Sequence, residues 1–317
     1  MFRKYFRIGS VCMKDVKTGI VDITKYVLNN GIEIPAIGMG TGVVIKPRPR
    51  SIISDIINNK GTRVKKYILL KNIIKKSGQY GLSMYDTSRA YDESEKLLGQ
   101  AIKDRKRENV VIITKISNED QRIGNVRKSL QRSLNELNVD YVDLYLLHWP
   151  QTETYINCWL QMEELYREGL VRAIGVSNFH QHHLEKLMEY ATITPAVNEI
   201  EVHPLLNQES LIEYCHNLGI KVIAYTPLGR MHKKLIESDV LNSIALKYNK
   251  TIAQVILKWH VQRSVIPIPS TVKEKRLIEY SSLFDFNLTI EEVKKINNLN
   301  ENLRLRYDPD NCDFTKL

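Results

Sequence analysis

Four side chains in this sequence could together carry out acid–base chemistry. Asp86 and Lys115 lie at the ends of two short apolar runs, and Tyr91 follows Asp86 by five residues in the segment DTSRAYDESEKLLG. A tyrosine hydroxyl ordinarily has a pKa near ~10, so one that donates a proton near neutral pH needs a cation to stabilise its anion. Lys115 could be that cation if Asp86 holds it in place.

The fourth side chain, His148, ends the apolar run DLYLLH. Its imidazole, neutral or charged, could orient a carbonyl oxygen and stabilise the negative charge that develops when a hydride arrives. Each residue alone also has a structural explanation, such as a helix or turn cap for Asp86 or a satisfied core histidine for His148. A surface lysine and loop packing explain the other two in the same way. Together, the four predict a carbonyl-reducing site.

Such a site needs a scaffold that brings strand ends together. From residue 80 on, short Val- and Ile-rich runs alternate with amphipathic segments of ten or more residues, a pattern typical of βα units around a parallel sheet. With IGMGT at residues 37 to 41, eight runs predict a (β/α)₈ barrel, whose active site lies at the C-terminal ends of its strands. The other seven predicted strands end near Ser88, Lys115, Trp149, Asn178, His203, Thr226 and Ser270.

Three features at the N-terminal side modify this plan. In KYVLNNGIEIP, Asn30-Gly31 separates two alternating runs, which predicts a hairpin that could close the barrel bottom. Residues 1–20 form a basic extension, and the barrel domain spans residues 21–317. Residues 44–66 form an insertion after the first strand. This insertion could be a lid that favours anionic substrates through Lys46, Arg48 and Arg50, or a loop that packs elsewhere.

The composition argues against several classes of protein. The 317 residues, 43% of them hydrophobic, suit one large domain, and no apolar run approaches the ~18 to 20 residues that cross a bilayer. We therefore expect a cytoplasmic protein without membrane contact, although the basic start MFRKYFRIGSVCMK leaves a transit peptide conceivable. The scattered cysteines predict neither a metal site nor disulfides: Cys12, Cys158, Cys215 and Cys312.

The net charge of +10 would favour polyanions, but the lysines are spread over helical segments instead of being gathered with aromatic residues. We expect no nucleic-acid partner, and we interpret the excess as a solvated surface that also attracts an anionic cofactor. A nucleic-acid binder remains the alternative that basicity alone suggests. The expected assembly is a monomer or a weak homo-oligomer.

Seven segments, in order, resemble the signatures of the aldo-keto reductase superfamily, and the ending RYDPDNCDF is similar to the tails of its bacterial members. The resemblance runs from about residue 25 to 314 and implies a catalytic tetrad of Asp86, Tyr91, Lys115 and His148, with Tyr91 as proton donor in the NADPH-dependent reduction of an aldehyde or ketone. A catalytically weak NADP-binding barrel with a regulatory or scaffold role is the alternative. The segments are YDTSRAYDESEKLLGQAI, ITK, YVDLYLLHWP, GVSNF, NEIEVHPLLNQ, AYTPLG and VIPIPST.

The resemblance also implies a cofactor that extends across the barrel mouth. The nicotinamide carboxamide would contact Ser177, Asn178 and Glu199, and its ring would stack on Tyr225. The pyrophosphate would follow Thr226, Leu228 and Gly229. The adenosine 2′-phosphate would lie at a helix start, where two cations favour NADPH but leave NAD possible, unless those cations are simply solvated. The residues expected there are Ser270, Thr271, Lys273, Arg276 and Glu279.

Three positions depart from the family pattern. Many members have glutamine where this chain has Glu199, and a carboxylate can accept a hydrogen bond from the carboxamide but cannot donate one. Tyr280 stands where members often have asparagine, and Pro269 replaces a frequent lysine. The substrate pocket is left to variable walls, for which Trp149 and residues 308–314 are the candidates.

Overall fold

The computed structural model describes residues 23–42, 60–151 and 154–316. Within these ranges, eight parallel strands pair in chain order. The first and last strands also meet, because the Gly38 and Gly40 amides donate to the carbonyls of Pro267 and Pro269 at 3.0 and 3.1 Å. The predicted (β/α)₈ barrel is therefore confirmed. Its strands are β3 (Met39–Gly40), β4 (Met84–Asp86), β5 (Val111–Lys115), β6 (Val142–Leu147), β7 (Val171–Ser177), β8 (Val197–Glu201), β9 (Lys221–Tyr225) and β10 (Val265–Pro267).

Helices surround this sheet, and their ends follow local side-chain signals. Thr251 begins one of them with a reciprocal capping box, in which its hydroxyl accepts from the Gln254 amide at 3.2 Å. No helix in the described ranges is long and apolar enough to cross a membrane. The helices are α1 (Lys60–Ser77), α2 (Ser94–Ile102), α3 (Asn118–Arg122), α4 (Val126–Leu137), α5 (Tyr155–Arg167), α6 (Gln181–Met188), α7 (Glu209–Asn217), α8 (Lys233–Ile236), α9 (Asp239–Tyr248), α10 (Ile252–Gln262), α11 (Glu274–Ser281) and α12 (Ile290–Asn297).

Alternation along the strands creates two apolar cores. Successive side chains of a strand point to opposite faces, so Leu144 and Leu146 of β6 join the cluster inside the barrel. Tyr145 and Leu147 of the same strand join the larger cluster between the sheet and the helices. The barrel interior is thus filled by side chains, and polar groups concentrate where the strands end.

The N-terminal hairpin closes the bottom of the barrel, as predicted. Leu28 and Ile34 belong to the cluster inside the barrel. The Asn30 side chain donates to the carbonyl of Arg172 at 2.9 Å, near the start of β7. The hairpin therefore covers the N-terminal ends of the barrel strands and leaves the opposite mouth for ligands. Its antiparallel strands are β1 (Lys25–Val27) and β2 (Glu33–Pro35).

Several strands end one to three residues before the predicted positions. The residues after these ends turn out of the sheet toward the mouth, although some keep a ladder hydrogen bond, as the Asn178 amide does with the Glu199 carbonyl at 2.9 Å. Apolarity alone does not mark this turn, so the predicted ends were too late. The observed ends are Asp86, Leu147, Ser177, Glu201, Tyr225 and Pro267.

The expected insertion divides into two parts. Its last residues lie in α1, which begins at Lys60 and ends at Ser77. Residues 43–59, with Lys46, Arg48 and Arg50, lie outside the described residues, as do residues 1–22. The lid hypothesis therefore stays a prediction.

Gly99 lets α2 approach the end of α4, and replacing it should destabilise the fold. A Cβ atom at Gly99 would lie 2.3 Å from the Leu137 carbonyl oxygen. Alanine normally favours a helix over glycine by about 1 kcal/mol, but this overlap should reverse the sign. We expect Gly99→Ala to lower the free energy of unfolding in urea by about 1–3 kcal/mol.

The exposed Lys96 of the same helix provides the control, because Lys96→Ala should change the stability by less than about 0.5 kcal/mol. A Gly99→Ala protein as stable as the parent would contradict the close approach of the two helices.

Candidate active site

Lys115 lies at the centre of the predicted site and is fully buried at the end of β5. Its ammonium contacts a carboxylate oxygen of Asp86, the Thr87 carbonyl at 3.1 Å and Glu199 Oε1 at 3.1 Å. Three acceptors therefore match the three N–H donors of the ammonium. Burial alone would lower the pKa of Lys115, but the carboxylates of Asp86 and Glu199 raise it above its ordinary value. Lys115 is thus a cation at neutral pH.

Tyr91 and His148 meet beside this cation. The Tyr91 hydroxyl lies 3.5 Å from His148 Nε2, and the Lys115 ammonium lies 5.6 Å from the centroid of the Tyr91 ring. A Cβ atom at Gly42 would approach the Tyr91 ring to 3.2 Å, so the glycine leaves room for the phenol. The structure therefore brings all four predicted tetrad residues together at the mouth.

A chain of hydrogen bonds orients the imidazole of His148. The Ala90 amide donates to Ser88 Oγ at 3.1 Å, and Ser88 Oγ lies 3.3 Å from His148 Nδ1. Ser88 Oγ has a proton that it can donate to Nδ1, and in the tautomer with that bond the ring proton is on Nε2. Burial, followed by the charge of Lys115, lowers the pKa of His148 to about 3. His148 is therefore neutral, and the tautomer that accepts from Ser88 presents an N–H donor on the side of Tyr91.

The phenol of Tyr91 stays protonated across the neutral range. Burial raises its pKa to about 12, while the charge of Lys115 opposes this rise. The carboxyl groups of Asp86 and Glu199 contribute to this increase. Lys115 thus acts in the direction expected from the sequence, but burial outweighs it.

Glu199, expected from the family resemblance to contact the nicotinamide, lies against Lys115. Glu199 is 1% exposed and contacts Lys115 from β8, across the barrel, whereas Asp86 contacts it from the neighbouring β4. The second carboxyl oxygen of Glu199, Oε2, has no hydrogen-bond partner among the described residues. Burial and then the Asp86 carboxyl raise the pKa of Glu199 to about 8. A second carboxyl group is therefore part of the Lys115 cluster.

Three polar residues connect this cluster to the ends of β7 and β9. Ser177 Oγ donates to the Glu199 carbonyl at 2.9 Å, and the Asn178 amide group donates to the His148 carbonyl at 2.9 Å. The Tyr225 hydroxyl donates to Asn178 Oδ1 at 2.6 Å. The positive φ of Asn178, 65°, turns its side chain back over the strand ends, a conformation that asparagine tolerates well. These contacts hold Asn178 and Tyr225 next to the tetrad.

The predicted pyrophosphate residues follow β9 in a tight turn. Thr226 and Gly229 both have positive φ values near 51°, and the Gly229 amide donates to the Thr226 carbonyl at 2.9 Å. A Cβ atom at Gly229 would lie 2.7 Å from a methyl carbon of Leu235, and glycine adopts the positive φ of this turn without strain. Leu228, half-buried, lies within the same turn.

The predicted 2′-phosphate residues lie where the chain passes from β10 into α11. Ser270 and Lys273 are exposed, and the Lys273 amide binds Thr271 Oγ1 at 3.0 Å. Arg276 is paired with the buried carboxylate of Glu279 in the first turns of the helix. The exposed Lys273 ammonium at a helix start suits an anion. Glu279 does not need to face the anion itself, because its carboxylate holds the Arg276 guanidinium in place.

The C-terminal tail contributes a cation that the sequence interpretation missed. The buried Glu201 carboxylate accepts the Leu305 and Arg306 amides at 2.8 and 3.0 Å, which fixes the tail over the end of β8. Burial dominates the pKa shifts of Tyr91 and His148, but the Arg306 charge lowers both pKa values, so it acts on the tetrad. The signal was the pair of arginines in RLRYDPD, just before the segment proposed as a wall.

Two of the residues expected as walls, Trp149 and Phe314, lie close together. The rings of Trp149 and Phe314 lie 6.2 Å apart, and the His148 and Trp149 rings lie 6.3 Å apart. An aromatic surface therefore continues from the tetrad to the tail.

One cluster in the described ranges has the spacing of metal ligands: His180, His183 and Asp310. A guanidinium has donors but no acceptor, so His180 Nε2 accepts a hydrogen bond from Arg304 at 3.4 Å. In the same way, His183 Nδ1 accepts from the His180 backbone amide at 3.1 Å. A histidine that binds a metal through one ring nitrogen instead donates a hydrogen bond from the other ring nitrogen. The cluster therefore fits imidazole–carboxylate hydrogen bonds, including the 2.8 Å contact of His180 with Asp310, which ties the tail to α6.

Comparison with known proteins places this geometry in context. The model of the Aldo/keto reductase family matches residues 59–301. The glyoxal reductase of Bacillus subtilis is 40% identical over 299 residues, 94% of this chain and 99% of the relative. The methylglyoxal reductase DkgA of Escherichia coli K12 is 37% identical over 241 residues, 75% of this chain and 86% of the relative. A solved aldo-keto reductase of the silkworm Bombyx mori, complexed with NADPH, is 32% identical with a TM-score of 0.77 over 89% of each chain.

The buried charge cluster predicts a stability effect. Lys115→Met leaves Asp86 and Glu199 without their cation, and breaking a buried ion pair typically costs about 3–5 kcal/mol. We expect a loss of that size in the free energy of unfolding, measured by urea titration at pH 7. The variant with Asp86→Asn and Glu199→Gln added removes the stranded carboxyls and should recover most of the loss. If Lys115→Met alone were as stable as the parent, Lys115 would not be needed to compensate the buried carboxyl groups, and this prediction would be wrong.

Proposed function

The chain belongs to the aldo/keto reductase family, and on this premise we propose that it reduces an aldehyde or ketone to an alcohol with NADPH. The observation that carries the proposal is the position of the Tyr91 hydroxyl, 3.5 Å from a neutral His148 and beside the buried Lys115 cation. A protonated phenol next to a neutral N–H donor can hold a carbonyl oxygen between them. Both groups are in the protonation state that this role requires.

The reaction divides between the cofactor and the chain. When bound, reduced nicotinamide supplies a hydride, two electrons with one hydrogen, to the carbonyl carbon. His148 Nε2–H orients the carbonyl oxygen, and Tyr91 donates its proton to that oxygen as negative charge develops there. The Lys115 charge stabilises the phenolate that Tyr91 leaves behind. The products are an alcohol and the oxidised cofactor, and water returns the proton to Tyr91.

The residues around the mouth fit a dinucleotide of this kind. Glu199 Oε2 is buried without a partner in the described part of the chain, and Tyr225 offers a ring beside Asn178. At the other end, Lys273 is exposed at the start of α11. We propose that Ser177, Asn178, Glu199 and Tyr225 hold the nicotinamide and that Thr226, Leu228 and Gly229 follow the pyrophosphate. We assign the 2′-phosphate to Ser270, Thr271, Lys273, Arg276 and, through Arg276, Glu279.

The names of the relatives make small dicarbonyl compounds the first substrates to test. One relative is called a glyoxal reductase and another a methylglyoxal reductase. The aromatic rings of Trp149 and Phe314 follow His148, and the Arg306 charge acts on the same histidine. A carbonyl panel assayed with NADPH and NADH would define the class, including the anionic carbonyls that Lys46, Arg48 and Arg50 suggest.

Tyr91→Phe tests the proton donor. The variant keeps the ring but has no proton to donate, so kcat for carbonyl reduction should fall by about 10²–10⁴-fold. NADPH binding, followed by fluorescence, should persist. The exposed Tyr190 provides the matched control, since Tyr190→Phe should retain parental turnover. Undiminished turnover of Tyr91→Phe would rule out this residue as the acid.

Lys273→Ala tests the choice of cofactor. If the ammonium binds the 2′-phosphate, its loss should raise KM for NADPH by about 10- to 100-fold, because a charge-assisted hydrogen bond contributes about 1.5–3 kcal/mol. KM for NADH should hardly change. Lys275, also exposed on α11, is the matched control, and Lys275→Ala should leave both values near those of the parent. Equal effects of Lys273→Ala on the two cofactors would remove Lys273 from the phosphate site.

A further inference from the structure

Two carboxyl groups share one ammonium in the buried cluster. Asp86 and Glu199 both contact Lys115, and these three side chains are 0–5% exposed. If both carboxyls were ionised, the cluster would hold a net negative charge away from water. A buried carboxyl avoids that cost by keeping its proton. At neutral pH one of the two carboxyl groups should therefore keep its proton, although both would be ionised in water.

The contacts indicate which group holds this proton. Asp86 makes the closer contact with Lys115, whereas Glu199 Oε1 lies at 3.1 Å and Glu199 Oε2 has no partner in the described ranges. Ionised oxygens in a buried site need donors, and Asp86 is better supplied. Burial raises the pKa of both carboxyls. The next largest influence lowers the pKa of Asp86, through the Lys115 charge, but raises that of Glu199 to about 8, through the Asp86 charge, which agrees with this assignment.

The charge of Glu199 also reaches the proton donor. Titratable groups act on Glu199 from β4, β5 and the loop after β4, namely Asp86, Lys115 and Tyr91. An ionised Glu199 raises the pKa of Tyr91, in addition to burial, which makes the phenol a weaker acid. A neutral Glu199 leaves the Lys115 charge less compensated next to the phenol. Its paired residues on β7 and β9 carry no charge: Ser177 and Ile223.

From this geometry we infer that Glu199 is a positioning residue that stays protonated at neutral pH and, through Lys115, keeps Tyr91 a competent proton donor. Loss of the Glu199 proton in alkaline solution then slows proton transfer by raising the pKa of Tyr91, while Tyr91 itself stays protonated. The inference rests on the proposed reductase function for its kinetic part only. Its protonation part concerns the chain alone.

The kinetic test compares pH profiles. The Glu199 proton is bound below its pKa and lost above it, so kcat of the parent should fall as pH rises through about 8. Glu199→Gln cannot ionise, and its alkaline limb should move up by about one pH unit or more. The midpoint of the limb is compared, whatever the absolute rate. An unmoved midpoint in Glu199→Gln would overturn the kinetic part.

Glu95 supplies the matched control for this profile. It is a buried glutamate whose pKa is raised by burial, but it binds Thr114 and Arg89 and does not contact Lys115. Glu95→Gln should therefore keep the parental midpoint. If Glu95→Gln moved the limb as far as Glu199→Gln does, the effect would be a general one of buried carboxyls and the inference would be wrong.

A second readout does not depend on turnover. The infrared difference spectrum of the parent, at pH ~6.5 minus pH ~9.5, should contain the carbonyl band of a protonated carboxylic acid. The two pH values lie on either side of the Glu199 pKa of about 8, so Glu199 is protonated in the first sample and ionised in the second. That band should be absent in Glu199→Gln and present in Glu95→Gln. A band unaffected by Glu199→Gln would overturn the proton assignment. A protein that reduces no carbonyl but has this band would refute the proposed function and leave the assignment standing.

Discussion

The buried Lys115 ammonium is the constraint on which the mouth of this barrel depends. It takes acceptors from β4, from the residue after β4 and from β8, so strands on either side of the barrel meet at one cation. Because an unpaired buried charge is costly, each of these strand ends must hold its place for the others to be stable. The geometry of Tyr91 and His148 follows from that arrangement, since both lie against the same ammonium.

The sequence was sufficient for the architecture and for the four residues that converge. Alternating strand and helix patterns predict a barrel, and barrel topology alone brings Asp86, Lys115 and His148 to one face. The Lys115–Glu199 contact was not predictable in the same way. β5 and β8 are not neighbours in the sheet, so no ladder register relates them, and only the width of the barrel interior determines which side chains meet across it.

The tail was the other limit of sequence interpretation. Local patterns predict helices and strands, but residues 304–306 form neither, and their position is set by two amides bound to the buried Glu201. A carboxylate in a strand gives no local sign that it will bind the chain a hundred residues later. The exact ends of strands were missed for a related reason, since the turn out of the sheet depends on hydrogen bonds that form at the mouth.

The seam between β3 and the end of β10 has a consequence for how the protein is made. The amides of Gly38 and Gly40 donate to the carbonyls of Pro267 and Pro269. The first strand of the barrel can therefore form these hydrogen bonds only after the last strand has been synthesised. At a synthesis rate of ~5–20 residues per second, the open edge of β3 is presented on the ribosome for on the order of ten seconds or more before its partner emerges. β3 is only two residues long, which leaves little free backbone for a neighbouring nascent chain to pair with. A short first strand thus limits the hazard of a barrel that closes last.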